Sequence, residues 1–356
     1  MIETSILKSQ SEIEAIAEEW GALHARVGRS PSSDYEWLRV WWDALGKNDA
    51  RCLHVIIRRE DGKLAGVLPL TVAHIGGIRF MHAAGHKAFY YCDMLAENPV
   101  QAAELWAAAR RSSAYDFADI RDVHAESMCY AALSAFACKR DTINAYTVRG
   151  NWPSGEDWLA SLSANTRRNH ARYTRKLEEK GTLRFEATRS GALPIEIVDS
   201  MIKRKIEWSK AQGKRGLFTH SSVSMFYHRI LDLALRQDRL MFSWLACGDV
   251  VVACIASFLY RGAMQGYVIT YDRTWAEYSP GNVALAHSIM WAIDNGMTTV
   301  DLGQGGNSYK AKFSNEIREC AEFTFSGSLR GQILEMAFIA LRKVKRILKP
   351  DILDPG

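Results

Sequence analysis

The stretch that decides the fold is Tyr267–Phe313, YVITYDRTWAEYSPGNVALAHSIMWAIDNGMTTVDLGQGGNSYKAKF. It opens with an apolar, strand-like run and turns at Ser279-Pro280-Gly281-Asn282. An amphipathic run follows, then a second strand ending at Asp301 and a glycine-rich loop leading to Tyr309-Lys310. The order is strand, turn, helix, strand, loop, helix. A turn entering a helix leaves backbone N–H groups without intrahelical acceptors, and together with the helix dipole these favour a bound phosphate. Gly281 lets the backbone approach a pyrophosphate closely, Ser279 adds a hydroxyl, and Asn282 with Val283 begins the helix.

Working outward, helices and strands alternate along the whole chain, which argues α/β or α+β architecture. Before the opening stretch, Leu240–Ala246 and Val250–Tyr260 form a hairpin around Cys247-Gly248-Asp249. In the first half, Arg51–Arg59 and Leu64–His74 form a similar hairpin around Glu60–Lys63. Ser9–Val27 reads as one helix with Ser11 and Glu14 as a capping box, and Asp34–Leu45 as a second. Phe323–Leu329 gives a last strand. The polar, turn-rich segment Arg149–Ser154 marks a linker. The expected organisation is an N-terminal domain over 1–150, a second over 151–330, and a basic amphipathic helix and tail over 331–356.

The two halves repeat each other. LHVIIRREDGKLAGVLPL resembles LMFSWLACGDVVVACIASF, pairing Gly62 with Gly248, and WAAARRSSAYDFADIRDV resembles IMWAIDNGMTTVDLGQG, pairing Asp119 with Asp301. The first copy shows no evident counterpart of the Ser279–Asn282 turn, so only the second is expected to hold a phosphate.

Composition narrows the function classes. The chain has 356 residues and a formal charge of +5, mildly basic and short of the charge density of a dedicated nucleic-acid binder. Seven scattered cysteines without CxxC or HExxH spacing read as reduced core thiols, so neither a disulfide framework nor a metal site is expected. No apolar stretch reaches about 18 residues, and the N-terminus lacks a signal-peptide pattern, which predicts a cytoplasmic protein.

The second half resembles the GNAT superfamily of N-acetyltransferases, in particular its CelD/BcsL-type branch, whose paired folds are similar to Fem-type transferases. The likeness rests on the Gly248-Asp249 hairpin, the YSPG turn at Tyr278–Gly281, the strand end Val300-Asp301-Leu302-Gly303, Tyr309-Lys310 before Phe313, and KRKIEWSKAQGKRGLF with Trp208, Gly213 and Phe218. It implies two tandem GNAT-like domains, each a mixed, mostly antiparallel sheet flanked by helices, with acyl-CoA, most simply acetyl-CoA, as donor. The superfamily's usual pyrophosphate loop is Arg/Gln-x-x-Gly-x-Gly/Ala, and Tyr278–Ala284 departs from it.

Amide formation from a thioester needs a polarised carbonyl, a deprotonated amine and an acid for the thiolate. Backbone N–H groups of Val268–Tyr271 are the expected carbonyl donors. The resemblance implies Tyr309 as the acid, eight residues past Asp301, and a phenol is a suitable donor to an alkyl thiolate. Asp301 is expected to orient the loop or the amine, and Lys310 to balance negative charge. The base candidates are Asp272, then Glu207, then His220. Lys205, Trp208 and Phe218 are expected to contact the acceptor, an amine on a glycan or lipid precursor of the envelope or an exopolysaccharide. The basic helix Asn165–Lys180 suits an acidic acceptor or is a solvated face. The run 333–349 has the pattern of an interfacial helix as well as of a docking helix. Two rivals remain: a Fem-type aminoacyl-tRNA-dependent transferase, and a non-catalytic accessory protein of polysaccharide synthesis.

Overall fold

The computed structural model describes residues 1–48, 51–112, 114–213, 217–305 and 308–337. Its contacts divide the chain into two compact units. One is Met1–Asn144 with the described residues from Arg318 onward, and the other is Ala145–Ile317.

In the first unit the strands are β1 (Ile2–Leu7), β2 (Arg51–Glu60), β3 (Lys63–Ile75), β4 (Ile78–Ala83), the short β5 (Leu95–Ala96) and β6 (Phe117–His124). Its helices are α1 (Gln10–Ala15), α2 (Ala17–Val27), α3 (Tyr35–Ala44), α4 (Pro99–Arg111) and α5 (Met128–Ser134). Strand β7 (Cys138–Arg149) carries the chain into the second unit, which holds α6 (Gly155–Ser161), α7 (Ala164–Glu178), β8 (Leu183–Thr188), α8 (Ile195–Ala211) and α9 (Val223–Arg236). Then come β9 (Leu240–Cys247), β10 (Val250–Tyr260), β11 (Ala263–Tyr271), α10 (Pro280–Asp294), β12 (Thr299–Gln304) and α11 (Ser308–Phe313), and β13 (Glu316–Ser326) returns to the first unit.

Each unit builds the same sheet. The order β1-β2-β3-β4-β6-β13 in the first matches β8-β9-β10-β11-β12-β7 in the second. In each, all neighbours are antiparallel except one parallel step, β4 with β6 and β11 with β12. The repeat seen in the sequence is therefore a repeat of topology, a mixed, mostly antiparallel sheet flanked by helices. The linear division at the Arg149–Ser154 segment differs from it in one respect. The last strand begins at Glu316 and pairs with β6, Phe325 opposite Ala118, so it completes the first sheet.

Other boundaries shift for local reasons. The first helix breaks at Ile16, and the capping box is Ser9 with Glu12, not Ser11 with Glu14: Glu12 N–H donates to Ser9 Oγ (3.2 Å) and Ser9 N–H to Glu12 Oε2 (2.9 Å). The edge strands β1 and β8 went unread, because IETSIL and LRFEAT lack a fully buried face. Cys52 and Cys138 are exposed, against the expectation of core thiols, while the other five cysteines are buried.

The second unit's sheet has two covered faces. Met241, Leu245, Ala253 and Ile255 join a core with Trp158 and Leu177 and with Val283, Ala284 and Ile289 of α10. The alternate residues Phe242, Cys254, Ala256 and Phe258 are buried on the other face, where α8 and α9 pack. Helix α10 buries ten of its fifteen residues, so it is enclosed nearly all round and not amphipathic as its sequence suggested. Its close neighbour is α6, where Gly155 donates to Asp294 Oδ1 (2.7 Å) and a Cβ would lie 2.5 Å from Met290 Cα. Gly155→Ala is therefore expected to lower stability by about 2 kcal/mol, measured as an earlier denaturant midpoint at unchanged m value.

Candidate active site

Strands β11 and β12 pair for three residues, Ala263 with Thr299 to Gln265 with Asp301, and then part. The parting is prepared by a bulge. Against β10, Ala256 faces Val268 and Ser257 faces Gly266, so Tyr267 is the extra residue. In the first unit β4 runs against β3 without a break from Leu70–Ala83 to Ile75–Ile78.

The bulge sets which N–H groups face the gap. Asp272 N–H bonds Val252 O of β10 at 2.8 Å, and alternation then directs Thr270 and Val268 toward β10 as well. Ile269 and Tyr271 present their N–H groups to the gap. Val268, expected as a donor to the ligand, is thus committed to the sheet, and Ile269 has its N–H on the gap side instead.

Beyond the gap the chain makes a short 3-10 turn and enters α10. Ser279 sits in the left-handed region (φ 53°, ψ 44°) and its side chain caps no backbone N–H. Ser279 Oγ instead accepts from Asn282 Nδ2 (3.1 Å), while the Asn282 and Val283 N–H groups bond Ser279 O at 3.1 and 3.3 Å. Pro280 has no N–H, and among the described residues the Gly281 N–H meets no acceptor. Gly281 lies under Tyr271, where a Cβ would stand 3.2 Å from the ring. A non-glycine residue held in the left-handed region is stored strain of the kind found at ligand sites.

The first unit does have a counterpart to this helix start, which its sequence had concealed. Helix α4 also begins with proline, Pro99, but Val100 stands where Gly281 does and is 66% exposed. Asn98 caps it conventionally, accepting from Gln101 N–H at 3.1 Å. That end is closed by its own side chain, whereas the end of α10 is left open.

On the α8 and α9 face an aromatic wall assembles. Lys205 Nζ lies 4.5 Å from the Trp208 ring centre and 5.7 Å from that of Phe218. Phe218 stacks on Tyr227 (5.5 Å), Tyr227 meets Tyr267 (5.7 Å), and Tyr267 meets Phe258 (4.4 Å). The three acceptor residues read from sequence are therefore together. Tyr227, Tyr267 and Phe258 were missed; aromatics in ordinary helix and strand runs carry no signal until the bulge turns Tyr267 into the wall.

Asp301 Oδ1 accepts from Gly303 N–H (2.7 Å), fixing the strand end. Lys310, expected to balance negative charge, is buried at 6% exposure and donates from Nζ to Gln304 O (2.8 Å). Burial pulls its pKa down to about 8; the charge of Asp301 opposes this and that of Lys205 adds to it. Tyr309 packs against the core that contains α10. Consecutive residues of α11 thus serve opposite faces of the sheet.

The base candidates fare differently. Asp272 Oδ1 accepts from the Thr274 hydroxyl (2.7 Å) and N–H (3.0 Å), and Arg204 lies 3.5 Å from Oδ2. The Thr274 hydroxyl bond, then its N–H bond and Arg204, hold the carboxyl below its usual range against a smaller opposing effect of burial, which makes it a weaker base. Glu207 is exposed, since it stands two residues from Lys205 and so on the other side of α8. His220 Nδ1 accepts from Ser222 N–H (3.1 Å) within its turn. On α7, Arg167 donates to the carbonyls of Ala160 (2.8 Å) and Leu162 (2.6 Å), closing the end of α6 instead of lining a groove.

This geometry meets an independent finding. Residues 164–311 match the acetyltransferase (GNAT) domain family. The match spans the open helix end, the parted strands and Tyr309-Lys310, and it supports acyltransferase chemistry for this stretch. A search of curated proteins found no similar sequence. Among solved structures, FemX overlays with a TM-score of 0.61 at 11% identity, covering 94% of this chain and 99% of its own. The C-terminal DUF2156 domain of an Agrobacterium fabrum protein assigned as a lysylphosphatidylglycerol synthetase overlays at 0.53 and 12%, covering 92% and 96%. A conserved protein of unknown function from Bacteroides thetaiotaomicron VPI-5482 overlays at 0.52 and 12%, covering 90% and 100%. At these identities the overlays show a shared fold.

Proposed function

We propose that the second unit transfers an acyl group from acyl-CoA to a primary amine by direct attack. The observation that carries this is the open N-terminus of α10 beside the bulged, parted strands, with the equivalent helix end closed in the first unit. The Gly281 N–H and the α10 dipole would hold the pyrophosphate, and Gly281 is where a side chain would fill the cradle. The N–H groups of Ile269 and Tyr271 would polarise the thioester carbonyl.

Lys310 replaces Asp272 as the base. A buried lysine with pKa about 8 is neutral in a useful fraction and takes the proton lost by the attacking amine. The new C–N bond forms as the C–S bond breaks, and the Tyr309 hydroxyl supplies a proton to the thiolate. Trp208 and Phe218, half-buried and backed by the buried Tyr227 and Tyr267, offer faces for a sugar ring, and Lys205 a charge for an acidic group, which favours an acceptor of the glycan or lipid-precursor class. Use of acyl-CoA would place the reaction on the cytoplasmic side. The Fem-type reading keeps the shared fold in its support, and on the basic helix Arg167 is engaged while Arg168, Arg172, Arg175 and Lys176 are exposed.

Thermal-shift titration with acetyl-CoA and long-chain acyl-CoAs tests the donor site, and thiol release in the presence of amino sugars and amine-bearing lipids tests the acceptor class. A melting rise with at least one CoA ester is expected. No rise with any of them would overturn the reading.

A further inference from the structure

We infer that the helix over residues 329–337, with the basic run that follows it in sequence, is a docking surface for an anionic lipid bilayer. This rests on the first unit and on sequence charge, and stands whether or not the acyl-transfer reading holds. The helix is anchored to its own protein by its small and polar side. Gly327 N–H donates to Asp116 O (2.9 Å) and Ser328 Oγ to Asp116 Oδ1 (2.8 Å). Gly331 is buried so close to the Asp116 carbonyl that a Cβ would come within 1.7 Å of the oxygen, and Ser326 Oγ bonds the Glu335 carboxylate. A helix that packs on its own domain ordinarily does so through its apolar stripe. Here the reverse holds. Leu329, Ile333 and Met336, spaced to share one face, are 77%, 64% and 63% exposed.

Charge selects the occupant. From Leu329 to Lys349 the sequence holds Arg330, Arg342, Lys343, Lys345, Arg346 and Lys349 against one acid, Glu335. That excess of five is the whole net charge of the chain, and it leaves 39 basic and 39 acidic residues elsewhere. The described residues end at 337, so apart from Arg330 these cations lie outside them; in sequence, an apolar stripe followed by concentrated positive charge complements acyl chains below anionic headgroups. A second copy of this chain would set like charge against like. No helix among the described residues is long and apolar enough to cross a membrane, so the contact proposed is with one surface.

The test is co-sedimentation of the full chain with phosphatidylcholine vesicles, with and without about 30% phosphatidylglycerol, at low and high salt. Binding to the anionic vesicles is expected, at least about tenfold weaker on neutral vesicles or in high salt. Ile333→Asp with Met336→Asp is expected to weaken it at least about tenfold without lowering the melting temperature, because both side chains face solvent. Absent or charge-independent vesicle binding would overturn the inference. So would a variant that binds like the parent, melts earlier because the stripe packs on the chain itself, or elutes as a smaller species because the stripe joins copies together.

Discussion

Lys310→Met is expected to melt higher than the parent at neutral pH and to lose acyl transfer. The lysine is a buried cation whose one hydrogen-bond acceptor among the described residues is Gln304 O, with Asp301 as a nearby opposite charge. Its pKa falls from 10.5 to about 8, and each pKa unit corresponds to about 1.4 kcal/mol, so its charged form costs the fold on the order of 3 kcal/mol. Below pH 8 both folded and unfolded chains hold the proton, and the folded state bears this cost in full. Between about 8 and 10.5 the unfolded chain still holds a proton that the folded protein has shed, so stability from this group rises with pH, and above 10.5 the cost is gone. Methionine matches the stem without the charge. The gain should be about 2 kcal/mol at pH 7, seen as a melting rise of several degrees, and it should vanish toward pH 10.5. Activity should fall about a hundredfold or more, and the parent's kcat/KM should climb through about pH 8 as Lys310 becomes neutral. A variant that is stabilised yet fully active would remove Lys310 from the chemistry; one that is destabilised would mean that the ammonium is better accommodated than its burial implies.

Gly281→Arg should abolish acyl-CoA binding while leaving the fold intact. The position lies in the first turn of α10, where arginine is a good helix former, so the backbone tolerates it. Its side chain, however, must leave a point 3.2 Å from the Tyr271 ring and occupy the cradle beside the Gly281 N–H, which meets no acceptor among the described residues. Ligand at a hundred times its Kd stabilises a protein by about 2.7 kcal/mol, so the parent should show a clear melting rise with acetyl-CoA. The variant should show almost none. Val100→Arg at the equivalent helix start of the first unit is the matching control, since Asn98 already closes that end and Val100 faces solvent. Equal shifts in the parent and Gly281→Arg would move the donor site elsewhere. Loss of the shift in Val100→Arg would place it in the first unit.

Much of the donor side was legible because its signals are local. Ser279-Pro280-Gly281-Asn282 announces a helix start within four residues, and Asp301 with Gly303 a strand end within three. The acceptor side was legible only in part. Trp208 stands three residues from Lys205 on one helix, so their meeting follows from helical spacing, but Tyr227 and Phe258 reach Phe218 and Tyr267 through packing of separate elements. The choice of base was not legible, because basicity depends on surroundings. Asp272 is weakened by a threonine two residues away, and enclosure lowers the pKa of Lys310, which is what favours it as the proposed base.

By itself, then, the sequence determined the repeated unit, the alternation of elements and the position of the open turn, all written in periodicity and in backbone preferences over a few residues. Only the tertiary structure decided that β13 returns to the first sheet, that Tyr267 bulges and frees Ile269 and Tyr271, that Asn98 shuts one helix end while Ser279 leaves the other open, and that Lys310 is buried. The reason is physical. Strand partners, register and burial are settled by residues far apart in the chain, and a pKa or an unspent N–H exists only once those neighbours have been placed.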